Sequence, residues 1–589
     1  MKIFEANITS RIIEFFNKRK EFAFDEINSE IKAISGLIKF FDSEIELSDL
    51  HLNLSALQNL VEEPDRAEYG DFQTNLTLAN KVCKLLKTKQ ISPEIVIEPT
   101  CGKGNFILAA IQNFENIRQV FGIEIHKPYV WQTKFNIFDY FLRNPEKHKP
   151  KFEIINANIF DFNFGKQLKI KYDNLLILGN PPWVTNSMLS TLNSDNLPQK
   201  ANFKNHNGID AITGKGNFDI AEYITYSLID NFTTQNGHLA FLVKNTVIKN
   251  LINEQNKAKR QIGQIEKHVI NAKDEFNVSV DASLLYCKLN TEYETICNEF
   301  DFYTQIKKQP FGWVGQKFVS NLETYEKTNY IDGKSPYVWR QGVKHDASKV
   351  MEFERRNGHF LNNNNEEFEL EEGLVYGLLK SSDLKTPIIN KTRKYTIITQ
   401  QKVGQETKHI GDNFPKTYLY LTNNIAFFKR RKSSIYTGKP QFSIFGIGDY
   451  SFKPYKVAIS GMYKTTTFSL VIPQNDKTIM LDDTCYFIGF DNKEFALITQ
   501  FLLNKQETQD FIQSISFEDS KRKITKDLLM RIDLSKIAQN TDYELIKNID
   551  NAISKEVWGN YLQKIEHKEE PINLFDLMEN NNQYSQHCT

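Results

Sequence analysis

Five short apolar runs recur between residues 94 and 244. They are EIVIEP (94–99), QVFGIEI (119–125), FEIINAN (152–158), NLLILGN (174–180) and HLAFLVK (238–244). Within each run the apolar residues are continuous rather than alternating, as in strands buried on both faces, and most intervals between runs are long enough for a crossover helix. The pattern predicts an α/β, doubly wound parallel sheet over residues 61–295. In such a sheet ligands bind beyond the carboxyl ends of the strands, so chemistry is expected in the residues just after each run.

The flanks read differently. Ile12, Ile13, Phe15 and Phe16, then Ile27, Ile31 and Ile34, recur near helical spacing, which predicts a helical N-terminal appendage over residues 1–60. From about 296 to 589 the texture is aromatic, Lys/Arg-rich and Asn-rich, broken by Gly and Pro, and an α+β domain is expected there. Within it RRNGHFLNNNNEEFELEEG (355–373) reads as an exposed loop, and the segment after 566 as a polar tail. No internal repeat is evident.

Composition adds limits. Of 589 residues, 40% are hydrophobic and 25% charged, an ordinary globular balance. The formal net charge is zero, so any nucleic-acid signal has to be local. The six cysteines (83, 101, 287, 297, 485, 588) are scattered without C-x-x-C spacing or a His cluster, which argues against structural zinc and against a disulfide framework. The first residues carry charges every few positions, and no apolar run approaches the ~18 residues of a membrane span. A soluble cytoplasmic protein is expected.

The strand ends carry the chemistry. After the first run comes Glu98-Pro99-Thr100-Cys101-Gly102-Lys103-Gly104-Asn105-Phe106. Glycines at a strand-to-helix turn let a ligand approach the backbone, and a helix N-terminus favours anionic groups. The third glycine of a dinucleotide fingerprint is missing, and Glu98 would repel a pyrophosphate but suit an ammonium. On this segment alone a plain tight turn is an equal explanation. Glu124, ending the second run about 20 residues on, is placed to accept from two ribose hydroxyls. Asn158 after the third run has the donor and acceptor for an adenine edge, with Ile159 and Phe160 as apolar walls. After the fourth run Asn180-Pro181-Pro182-Trp183 breaks the ladder, because proline cannot continue one. The Asn180 amide oxygen and the Pro181 carbonyl make two fixed acceptors suited to one NH2 group, and Trp183 offers a flat face, unless it simply packs in a core. Ammonium, ribose and adenine together describe S-adenosylmethionine; an NH2 group on a flat ring describes a nucleobase.

In this order the motifs resemble those of the amino-DNA methyltransferases, specifically the gamma-class, TaqI-type adenine-N6 enzymes of type II restriction–modification systems. AEYGDFQTN (67–75) resembles the cofactor motif upstream of the glycine turn, EPTCGKGNF the glycine motif and GIEIHKP the ribose motif; KDEFNVSVDASLLY (273–286) resembles the motif whose aromatic, here Phe276, packs on the target base. Asn158 stands where the family usually has Asp. The resemblance spans about residues 65–290 and implies a Rossmann-like S-adenosylmethionine-dependent methyltransferase domain (61–295) followed by a target-recognition domain (296–589). It implies Asn180, Pro181, Pro182, Trp183 and Phe276 as catalytic. It implies Phe72, Thr74, Glu98, Pro99, Cys101, Gly102, Gly104, Phe106, Glu124, Ile125, Asn158 and Ile159 as cofactor-binding, with Cys101 structural rather than nucleophilic and no metal required.

The implied reaction is methyl transfer to N6 of an adenine swung out of duplex DNA, a few kcal/mol of unstacking being offset in part by stacking on Trp183. The polar stretch 185–217 follows the catalytic turn and reads either as a DNA-contacting loop or as an insertion. Basic stretches lie at 391–409, 427–440 and 521–526. Lys429, Arg430, Arg431 and Lys432, with Trp339, Arg340, Lys344 and His345, are candidate DNA contacts. The expected partners are double-stranded DNA and a cognate restriction endonuclease, with the chain a monomer. The competing readings are an RNA or protein methyltransferase, a bifunctional restriction–modification enzyme and a non-catalytic DNA-specificity protein.

Overall fold

Each of the five apolar runs forms a strand: β1 (Ile95–Glu98), β2 (Gln119–Glu124), β3 (Lys151–Asn156), β4 (Leu175–Gly179) and β5 (Gly237–Lys244). The computed structural model describes residues 8–54, 73–185, 219–463, 466–517 and 522–566. The described residues form two compact units that divide between Phe318 and Val319. In the first, the five strands pair in parallel in the order β3-β2-β1-β4-β5. Every residue of β1, β2 and β4 is buried, which is why these strands read as unbroken apolar runs.

Two strands outside those runs follow. β6 (Ile262–Ile270) and β7 (Ala282–Leu289) form an antiparallel pair, with β7 inserted between β5 and β6 and antiparallel to both. β8 (Ile296–Asp301), β9 (Phe311–Val314) and β10 (Lys317–Val319) carry the same sheet past residue 295 to ten strands.

The N-terminal segment forms three helices, Ser10–Asn17, Phe24–Ser35 and Glu44–Asn53. It packs on the helix Lys127–Arg143. Phe16, Phe40 and Phe41 meet Trp131, Phe135 and Phe138 in one aromatic cluster. Two polar ties fix the contact. The Thr9 hydroxyl donates to Asp139 at 2.7 Å, and the buried Lys134 ammonium donates to the Phe40 carbonyl at 2.8 Å. Between helices the chain also caps the edge of the sheet. Ile38 N–H donates to the Phe152 carbonyl and Phe152 N–H to that of Gly36, each at 3.0 Å, so part of the β3 edge is not left open.

The second unit is α+β. One sheet orders Arg340–Gln341, Cys485–Phe490, Tyr455–Ser460, Ser469–Val471 and Ile388–Ile389; the other orders Glu367–Phe368, His359–Asn362, Glu352–Arg356, Lys394–Ile397, Val375–Leu379 and Met480–Leu481. The reading of 355–373 as a loop is corrected here. Arg356 pairs with His359 across Asn357-Gly358, both at positive φ (50° and 86°), the geometry of a two-residue hairpin turn. Phe353, Phe360 and Phe368 cluster inside that meander.

Among the described residues no helix is long and apolar enough to cross a membrane, and the described cysteines are all buried and free.

Phe40 is fully buried in the aromatic cluster. Phe40→Ala is therefore expected to cost about 3–5 kcal/mol, as for other buried Phe truncations, read as a lower urea midpoint for the first unit.

Candidate active site

Strands β1, β2 and β4 are neighbours, and they end at Glu98, Glu124 and Gly179. From β1 the chain winds outward through β2 and β3, while β4 and β5 lie on its other side. This is the point where the strand order reverses, and open α/β sheets bind ligands beyond the carboxyl edge at such a point.

The turn after β1 is shaped by its glycines. Gly102 and Gly104 have φ of +51° and +75°. A Cβ on Gly102 would meet the Gln73 amide at 2.5 Å, and one on Gly104 would meet Thr133 at 2.7 Å. The turn is held from several directions. Lys103 N–H donates to Gln73 Oε1 (3.2 Å), Gly102 N–H to Glu124 Oε2 (2.8 Å), Thr133 Oγ1 to the Gly102 carbonyl (2.8 Å), and Asn136 Nδ2 to the Lys103 carbonyl (2.9 Å). Gln73, Thr133 and Asn136 were not singled out from the sequence. The available signal was the i, i+3 spacing of Thr133 and Asn136 on one helix.

Two carboxylates flank this turn. Glu98 is 3% exposed and accepts from the Ile107 amide at 3.2 Å. Burial pushes its carboxyl well above the usual carboxylate range; the Ile107 amide counters this in part and the Glu124 charge adds to it. Glu124 accepts from the Gly102 and His126 amides, the latter at 2.7 Å. Burial, with Glu98 and Glu124 nearby, also raises the Cys101 thiol, which keeps it protonated and a poor nucleophile.

Asn180 directly follows β4. Its Nδ2 donates to Thr74 Oγ1 at 3.2 Å, so the Oδ1 end of the amide points away from Thr74. Pro181 is buried and Pro182 half-buried. Trp183 departs from the expectation of an open flat face. It is 5% exposed, its indole N–H donates to the Leu242 carbonyl of β5 at 3.1 Å, and it meets Phe276 edge to face with centroids 5.0 Å apart. No third ring fits between two rings at that separation. Phe276 is half-buried at the end of the helix Ala272–Phe276.

Beyond Trp183 the chain pairs with the start of the helix Ile220–Phe232: Thr185 bridges Asp219, and Ile220 N–H donates to the Val184 carbonyl at 2.9 Å. Asp219 holds Lys244, the last residue of β5, at 2.7 Å. Neither charge was singled out from the sequence. All of the polar stretch 185–217 except Thr185 lies outside the described residues, as does Phe72.

The remaining cofactor candidates divide. Pro99 and Phe106 are buried, Ile159 is half-buried and Ile125 exposed. Asn158 Oδ1 accepts from the Phe160 amide at 3.1 Å, a local turn that occupies this oxygen.

In the second unit two candidate DNA contacts are corrected. Trp339 is 1% exposed and packs on Phe468, so its indole belongs to the core. His345 is 6% exposed; its Nδ1 accepts from the Ala347 amide, and burial pulls its pKa down to about 4, so it carries no charge for a phosphate near neutral pH. Arg431 is a brace. Its guanidinium donates to the carbonyls of Phe428, Gln441 and Ser443 and lies 3.7 Å over Tyr436. Lys429, Arg430 and Lys432 are exposed, and Arg340 and Lys344 half-buried. Arg340 lies 4.8 Å over the Tyr450 ring.

The chain is similar to M.NspV, a type II methyltransferase of Nostoc sp., with 38% identity over 479 residues, spanning 81% of this chain and 98% of that relative. No family model matches. Among solved structures, MmeI, a type IIL restriction-modification enzyme determined in complex with DNA, matches with a TM-score of 0.53 and 13% identity over 99% of this chain and 94% of that one. At that identity the likeness is one of fold.

The raised Glu98 pKa has a stability consequence. A carboxyl that binds its proton more tightly when folded stabilises fully below its unfolded pKa, and that contribution is lost as pH rises through the folded value. Glu98→Gln keeps an acceptor for Ile107 and never ionises. The variant should melt higher than the wild type in ligand-free calorimetry, with a margin that grows as pH rises above the ordinary carboxylate range.

Proposed function

The chain belongs to the type II methyltransferase family of restriction–modification systems, and from that premise we propose that it methylates N6 of adenine at a specific site in duplex DNA. S-adenosyl-L-methionine is the proposed donor, and the modified site is protected from a cognate restriction endonuclease. The chain acts as a monomer in the cytoplasm. One observation carries this reading: an amide and a proline carbonyl directly follow β4, beside a glycine turn flanked by two carboxylates.

The residues present fit the proposed donor. Glu98 is a buried carboxyl whose charge is disfavoured by burial and by Glu124, a position that gains from a cationic ligand. Glu124 at the end of β2 suits ribose hydroxyls, and the Cβ-free backbone of Gly102 and Gly104 lets Gln73 and Thr133 pack against the turn and fix its shape. Ile125, Asn158 and Ile159 border the adenine end. When bound, S-adenosylmethionine supplies an electrophilic methyl on a sulfonium.

The chain's own residues prepare the nucleophile. The N6 amine is weak because its lone pair is delocalised into the purine. Asn180 Oδ1 and the Pro181 carbonyl accept its two hydrogens, which draws the nitrogen toward tetrahedral geometry and localises the pair. Pro182 stiffens this frame. The base is taken out of the helix and held against Trp183 and Phe276. Because these rings now touch edge to face, entry of the base requires Phe276 to move from Trp183, whose indole stays tied to β5. Lys429, Arg430 and Lys432 contact phosphates, with Arg340 and Lys344 secondary contacts.

Incubation with labelled donor and duplex DNA, RNA or protein, followed by nucleoside mass spectrometry, tests the reading; label as N6-methyladenine in DNA supports it. Label on N4 of cytosine, on RNA or on protein would replace it. Asn180→Ala is expected to lower methylation on the order of a hundredfold or more while donor binding by calorimetry persists.

The phosphate assignment has its own measurement. Replacing Lys429, Arg430 and Lys432 together by Ala should reduce the slope of log affinity against log salt by about one per lost phosphate contact. An unchanged slope would move the DNA contact elsewhere.

A further inference from the structure

Thr74 is 6% exposed, so its side chain has little contact with solvent. Its hydroxyl accepts from Asn180 Nδ2 at 3.2 Å, and its carbonyl accepts from Asn105 Nδ2 at 2.8 Å. Asn105 is the first residue of the helix that follows the glycine turn. On one side of Thr74, Gln73 Oε1 accepts from the Lys103 amide inside the turn; on the other, Asn75 Oδ1 accepts from the Leu78 amide and caps the helix Leu76–Thr88. Gln73 and Thr74 therefore link the glycine turn, the helix after it and the Asn180 amide, while Asn75 anchors them to a fourth element.

We propose that Thr74 is a positioning residue for methyl transfer, a strut that holds the Asn180 amide at a fixed place relative to the glycine turn. The inference rests on the proposed function. It goes beyond a donor contact for Thr74, because both of its side-chain and backbone oxygens are engaged by protein groups. An Asn side chain has two rotatable bonds, and its amide has a donor end and an acceptor end of the same shape. Presenting Nδ2 to an amine would set donor against donor. Thr74 takes up the donor end and directs Oδ1 away. The same hydroxyl limits how far the amide swings, and its backbone transmits the position of the turn. The neighbouring Gln73 packs closely on the turn, since a Cβ on Gly102 would lie 2.5 Å from its amide.

The test compares Thr74→Val, Thr74→Ala and Thr74→Ser in the full chain. Single-turnover methylation at saturating donor and DNA is measured beside donor and DNA dissociation constants. The expected result is a fall of the single-turnover rate by about ten- to a hundredfold in the Val and Ala variants, the scale of loss from small misplacements of a reacting group. Both dissociation constants should stay close to wild type, and Thr74→Ser should return most of the rate. Thr74→Ala leaves the backbone link in place and is read if the Val variant fails to fold. An unchanged single-turnover rate in Val and Ala, or a loss confined to donor affinity, would overturn the strut. So would a Ser variant as slow as Ala. A wild-type chain that does not methylate adenine in DNA overturns the proposed function instead, which the same assay registers before any variant is compared.

Discussion

The order in which five parallel strands pair decides where everything else lies. The crossovers send the chain outward from β1 through β2 and β3, while β4 and β5 occupy the other flank. Between β1 and β4 the strand order reverses, the position at which open α/β sheets bind their ligands. The register then assigns its contents. Glu98 pairs with Gly122, and Ile95–Ile97 with Leu175–Ile177, so the ends of three strands arrive together. No contiguous stretch of sequence contains this site. Glu98, Glu124 and Asn180 are separated by dozens of residues and are brought together by ladder hydrogen bonds, with the Gln73–Asn75 segment tying one side of the site to the other.

The same arrangement places charge where a ligand-free protein gains little from it. Two buried carboxylates face one turn, and burial holds Glu98 above its ordinary pKa. Backbone amides offset part of the cost: Ile107 on Glu98, Gly102 and His126 on Glu124. The rest has to be carried by packing. The aromatic cluster between the N-terminal helices and the helix Lys127–Arg143 lies on the element that also supplies Thr133 and Asn136 to the turn. The appendage therefore supports the geometry of the glycine turn through the helix it covers, and it caps part of the β3 edge.

Legibility from sequence followed the length and continuity of the apolar run more than burial: β3 has a single buried residue and is legible, while β7 is nearly all buried and is not. Strands with every residue buried announced themselves, and all five parallel strands were visible as apolar runs. β6 and β7 were not, since β6 mixes exposed, intermediate and buried positions and the apolar run of β7 is broken by Ser283, Tyr286 and Lys288. The Asn357-Gly358 turn was present as a two-residue hairpin signal but lay inside a stretch so polar that it read as a loop. The aromatics that pack there, Phe353, Phe360 and Phe368, are spread over three short strands. At the site, the residue types at the strand ends were readable because they break the ladder. The groups that orient them were not. Thr133, Asn136 and the Leu242 carbonyl act through contacts distant in sequence, and two of the three are ordinary helix residues. Trp183 showed the limit most clearly: an indole after a rigid turn has the same sequence whether it faces a crevice or, as here, turns its N–H onto the neighbouring strand.

Charge in the second unit shows the same limit. Lys429-Arg430-Arg431-Lys432 reads as four equivalent cations, but Arg431 is engaged by three carbonyls and an aromatic face, while the other three side chains are exposed. A guanidinium has five donors in a planar fork and suits such bracing; an ammonium does not. Burial likewise argues against Trp339 and His345 as DNA contacts. With a formal net charge of zero, the whole chain provides no general attraction for a polyanion. Binding to DNA by such a protein must come from a few cations that are not committed internally. Braces such as Arg431 then matter indirectly, because they fix the loop from which neighbouring charges project. If the proposed phosphate contacts hold, removing the brace would disturb them without removing one, whereas removing an exposed neighbour would delete one and leave the brace in place.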